Sequence, residues 1–122
     1  MPTIKARFIT IDNESNAIIL MNALIELNLA FLDTHECPSL YKSGIVYEPE
    51  SSDEWLTIPY IMAMGSGDCE DLVAWRVAEL LSQGREAYAK REATPDPLMW
   101  HWIVDLPEGT EDPSVILGRK TL

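Results

Sequence analysis

The chain has 122 residues, with 20 acidic and 9 basic side chains and a formal net charge of -11. That length suits one compact domain, 1–122, which buries enough surface to fold without disulfides or a metal. The absence of a basic cluster argues against nucleic acid as a partner. The lack of a long apolar run or a secretory layout at Met1-Pro2-Thr3-Ile4-Lys5 leads us to expect a cytoplasmic protein with no membrane partner.

Thr3 to Thr10 alternates, with Ile4, Ala6 and Phe8 against Lys5 and Arg7, and reads as a half-buried strand. Asp12-Asn13-Glu14-Ser15 is a helix-start cluster. Ala17 to Phe31 has no Gly or Pro, and Ile18, Met21, Ile25, Leu29 and Leu32 recur at helical spacing, so a long, largely buried helix is expected. His35 to Gly44 is a connector, with His35 at the surface. Glu48 to Glu54 looks like an exposed acidic loop anchored by Trp55, and Leu56 to Met64 is apolar but interrupted by Pro59. Glu70 to Gln83 is a second helix, stopped by Gly84. Arg85 to Arg91 is a weak strand pattern, and Thr94-Pro95-Asp96-Pro97 a turn. Met99 to Leu106 is a strong strand, and Thr110 to Leu117 returns beside it, with Pro113 limiting the ladder. The order is α+β: an N-terminal helix, a central helix and an antiparallel sheet.

Charge is unevenly placed. Phe8 to Trp75 carries 12 acids and one base, Lys42, while the remainder is balanced at 8 and 8. This is a solvated acidic surface, or a wall that attracts a basic segment of a partner. The two cysteines, Cys37 and Cys69, form no zinc pattern and no disulfide framework, which fits a reducing compartment.

Gly65-Ser66-Gly67-Asp68-Cys69-Glu70-Asp71 places a cysteine at the first turn of a helix. The dipole there favours a thiolate, and the N–H of Cys69 is placed to face an oxyanion. Val73, Val77 and Leu80 share the Cys69 side, so the sulfur faces the structure on which the helix packs. Asp68, Glu70 and Asp71 act the other way, raising a thiol pKa if they face it, or serving as helix caps. Taken alone, a small buried core cysteine is the commoner use of such a position. His101 lies between Trp100 and Trp102, sharing a strand face with Ile103. A hydrogen-bonded interior histidine is the plain reading of it. Asp105 shares that face but lies about 13 Å along, too far to hold the imidazole. A two-residue turn at Glu108-Gly109 sets Asp112 opposite Asp105, again too far. A four-residue loop, Leu106 to Gly109, pairs Asp105 with Thr110 and makes Asp112 diagonal to His101 on its own face.

Gly67-Asp68-Cys69-Glu70-Asp71-Leu72, His101 on a strand and Asp112-Pro113-Ser114 resemble the transglutaminase-like cysteine peptidase superfamily. The resemblance covers about Trp55 to Gly118 and is to short versions found among bacteriophage and prophage proteins. It implies a papain-like fold with a triad of Cys69 as nucleophile, His101 as acid–base and Asp112 as orienting acid. The implied reaction is hydrolysis or transamidation of an amide in a protein or peptide, through a thioester and without metal or organic cofactor. Trp55 is the candidate for a side-chain oxyanion donor. Two other readings stand beside it: a non-catalytic phage structural or host-interaction module that keeps the fold, and a metal site built from Cys69, His101 and an aspartate.

Overall fold

A computed structural model describes residues 5–7, 14–49, 54–95 and 100–118, with side chains except at 5–7, 14 and 15. Thr3, Ile4, the stretch 8–10, Asp12-Asn13, most of the acidic loop, Asp96-Pro97 and Met99 lie outside the described residues.

The protein is α+β. Helix α1 (Glu14–Thr34) and helix α3 (Cys69–Ser82) lie side by side, and α3 also packs on an antiparallel sheet of β5 (Tyr88–Ala93), β6 (Trp100–Leu106) and β7 (Gly109–Glu111). Ala17, Met21, Leu24, Ile25 and Asn28 form the buried face of α1 at helical spacing. They meet Val73, Val77 and Leu80 of α3 and Trp102 and Val104 of β6 in one core. The other side of α3 buries Leu72 and Trp75 among Leu40, Ile45, Leu56, Ile58 and Ile61. The central helix is thus enclosed from two sides, and its first residue inherits a low-dielectric setting.

Helix α1 begins inside the expected start cluster, at Glu14, and runs past Phe31 to Thr34. By length and composition Asn16–Thr34 is apolar enough to cross a membrane, with mean hydropathy 1.5, contrary to the expectation from short apolar runs. Isolated polar residues such as Asn22, Glu26 and Asn28 break the runs without lowering the average much. Its buried face is spent on the core.

Leu56 to Met64 resolves into two elements. Strand β3 (Glu54–Leu56) pairs antiparallel with β1 (Lys5–Arg7), and α2 (Ile58–Met64) follows. Pro59 sits in the first turn of α2, where no backbone N–H is needed. Gly65 ends α2 at φ 80°, donating its N–H to the Ile61 carbonyl at 2.8 Å. Strand β4 (Ser66–Gly67) pairs parallel with β2 (Val46–Tyr47). The expected return strand to Leu117 is shorter than its pattern. β7 stops at Glu111, and Pro113 opens a four-residue helix, α4 (Pro113–Ile116), instead of merely limiting a ladder. The hairpin pairs Asp105 with Thr110 and Leu106 with Gly109, the register that puts Asp112 diagonal to His101.

Candidate active site

The start of α3 is closed by a reciprocal cap. The Asp68 carboxylate accepts the Cys69 N–H at 2.6 Å, and Asp71 accepts the Asp68 N–H at 3.1 Å. The second Asp71 oxygen accepts the Leu56 N–H at 2.7 Å and ties β3 to the helix. The Cys69 N–H expected to face an oxyanion is therefore engaged by Asp68. Gly67 is also structural. A Cβ there would lie 3.2 Å from the Asp71 Cβ and 3.3 Å from Leu72 Cδ2, so a larger residue would push β4 and α3 apart by a few tenths of an ångström.

Cys69 is 8% exposed and sits in the core with Val73, Val77 and Leu80, as the helical spacing requires. Its thiol donates to Glu70 Oε2 at 3.4 Å and receives the backbone N–H of Trp102. β5 occupies one edge of β6 along its length, while β7 ends opposite Val104. The open stretch of the β7-side edge is where the helix start meets Trp102. Burial pushes the thiol far above its ordinary value, Glu70 and Asp68 push it further, and the Trp102 N–H offsets only part. The expected helix-start thiolate is thus not the resting form. Desolvation and two adjacent carboxylates outweigh the dipole.

That shift makes stability depend on alkaline pH. An unfolded thiol ionises near ~8.5, whereas the folded one holds its proton well above that. The contribution is complete below about pH 8 and is lost as pH rises, at up to ~1.4 kcal/mol per pH unit. In urea unfolding above about pH 9, wild type should lose stability more steeply than Cys69→Ala. Cys37 and Tyr41, also raised by burial, leave a residual slope in both. Equal slopes would mean that the thiol is not held neutral.

His101 is 5% exposed, and its Nε2 meets Asp112 Oδ2 at 2.7 Å. The other Asp112 oxygen caps α4, accepting N–H bonds from Ser114 at 3.1 Å and Val115 at 3.4 Å. With Asp112 as the acceptor, His101 donates through Nε2, and Nδ1 is the ring nitrogen turned from that carboxylate. His101 and Asp112 are in direct contact. Cys69 packs with Trp102 on the α3 side of the sheet, its thiol bonded to Glu70, whereas the His101 side chain lies on the other side. Trp55, 6% exposed, packs edge-on to Trp102 with ring centroids 5.9 Å apart, in the same cluster as Cys69.

The cation-capable grouping among the described residues is Asp68, Cys69 and Glu70, whose ligand atoms lie within 4.8 Å of one another. It does not include His101, so it is not the Cys69–His101–aspartate set considered from the sequence. Cys37 and Cys69 are unbridged. His35 is exposed and stacks on Phe31 at 4.6 Å.

A partly buried polar network lies two turns along α3 from Cys69. Arg76 Nε and Nη2 donate to the two Glu111 oxygens at 2.7 and 3.3 Å, and Nη1 donates to Glu79 Oε2 at 2.6 Å. Tyr41 donates its hydroxyl to Glu111, and its ring lies 4.7 Å under the guanidinium. Glu79 also accepts the Leu40 N–H at 2.8 Å. Sequence reasoning missed this network. Its one signal is that Arg76 is the sole cation between Lys42 and Arg85, in the middle of an apolar helix. Comparison with family models, curated proteins and solved structures finds no match to this chain.

Proposed function

We propose that the chain is a thiol-dependent amide hydrolase or transamidase of transglutaminase-like, papain-like type, acting in the cytoplasm on a protein or peptide. The observation that carries this reading is the 2.7 Å His101–Asp112 pair on the strand whose main chain meets Cys69. His101 Nδ1 takes the thiol proton as the Cys69 sulfur attacks the amide carbonyl. The S–C bond forms, the C–N bond breaks, and the imidazolium returns its proton to the departing amine. Water or a lysine amine then cleaves the thioester, giving a carboxylate or a new amide. Asp112 holds the imidazole tautomer throughout. The neutral resting thiol fits general-base activation at the moment of attack, once it leaves Glu70.

The test is a tryptic protein digest incubated with the protein, with and without hydroxylamine. New termini, isopeptide links or hydroxamates that vanish in Cys69→Ala support the reading, and they distinguish hydrolysis from transfer. No amide product, together with no acyl adduct on Cys69 by intact mass, would sink it. A second reading, a non-catalytic phage module that keeps the fold, is favoured by the bond from the thiol to Glu70 and by the engaged Cys69 N–H.

A further inference from the structure

We propose that Arg76 is a positioning residue for this site, acting through Glu111 to set β7 so that Asp112 meets His101. The inference rests on the functional reading above for its purpose, but its geometry stands apart from it. β7 is an edge strand of three residues, held to β6 by three residue pairs. A strand so short has little pairing of its own to fix its end. Glu111 is its last residue, opposite Val104 on the face toward α3, and Asp112 turns to the opposite face, where His101 lies.

The two-pronged guanidinium–carboxylate contact fixes both the distance and the rotation of Glu111. Arg76 is itself fixed by Glu79 and by the Tyr41 ring, and is 14% exposed. Burial alone would raise the Glu111 carboxyl, but the Arg76 and Tyr41 hydrogen bonds and the Arg76 charge bring it below its ordinary value. The pair is therefore ionised and held. Arg76 stands seven residues after Cys69, about 10.5 Å along the same helix and near the same face. One rigid element thus carries the thiol at its start and, two turns on, the clamp that sets the last residue before the acid. The spacing between thiol and acid is determined by α3, not by the short hairpin.

The test uses the full chain and reads the imidazole directly. His35 and His101 are the only histidines, so His35→Gln leaves one signal. Nitrogen NMR of that background should show His101 as the Nε2–H tautomer, with a downfield, slowly exchanging Nε2–H proton, and Asp112→Asn should abolish it. Arg76→Gln and Glu111→Gln are expected to lose the downfield proton and mix the tautomers while circular dichroism stays native. Arg76→Lys, which keeps charge but not the fork, should restore only part of the signal. An unchanged signal in both glutamine variants overturns the proposal. So does loss of the fold in both, which would assign the pair to stability alone. The readout needs no substrate: failure of the digest assay with a changed imidazole signal rejects the enzyme reading, whereas an unchanged signal in an active protein rejects only the role of Arg76.

Discussion

Asp71→Ala should destabilise the protein by about 4 kcal/mol, close to a thousandfold in the folding constant. Asp71 is fully buried and accepts N–H bonds from Leu56 and Asp68. Hydrogen bonds to a charged acceptor contribute about 1.5–3 kcal/mol each, and a buried donor left without a partner costs more than the lost bond. Alanine also removes half of the cap on α3. The helix start and β3 are coupled through this one carboxylate, so the loss reaches the hydrophobic cluster around Leu56 and Ile58. Asp71→Asn keeps one acceptor but sets an amide NH2 against the other backbone N–H, so it should lose at least half as much. Urea unfolding checks both. A cost for alanine below about 1 kcal/mol would show that β3 and the helix start are held by packing instead.

Iodoacetamide labelling of Cys69 near neutral pH should fall about 100-fold in His101→Ala. The thiol's surroundings hold it neutral, so its reactivity depends on a base placed to take the proton during attack. His101 is fixed by Asp112, which is itself held by two backbone N–H groups of α4. Its Nδ1, turned from that carboxylate, belongs to the strand residue next to the one that contacts the sulfur. Asp112→Asn should produce a smaller fall, because the imidazole remains but its tautomer is no longer enforced. Cys37, read by mass spectrometry in the same sample, should be unchanged. Glu70 is the base in contact with the sulfur. If His101→Ala labels at the wild-type rate and Glu70→Gln does not, the imidazole does not serve this thiol.

The readable parts of the sequence were those with a repeated local pattern. Long apolar spacing marked α1 and α3, whereas alternation on β6 did not show which face is the core, since Trp102, Val104, His101 and Ile103 are all buried and Trp100 is exposed. The Asp112 placement was legible because turn chemistry at Leu-Pro-Glu-Gly selects a register, and register selects a face. The two-residue parallel strands β2 and β4 carry no periodicity long enough to see. Pro59 and Pro113 read as interruptions because proline breaks strands, yet each sits in the first turn of a short helix, where it is tolerated. At Cys69 the two opposing influences were both visible. Which one prevailed depended on burial, a property of the assembled core and not of the seven residues around the thiol.

The β2 strand has a further implication. Tyr47 donates its N–H to the Leu117 carbonyl at 3.0 Å and Glu48 donates to Gly67 at 2.9 Å, so one short segment grips the far end of α4 and the loop before Cys69. A stretch that resembles nothing catalytic is thus the brace between the two halves of the site. The region 55–118 is packed against segments that precede it in the chain. Grafted alone into another protein it would arrive without its brace and without the α1 face that seals the core. The stretch that carries the motifs is shorter than the stretch that packs as one core.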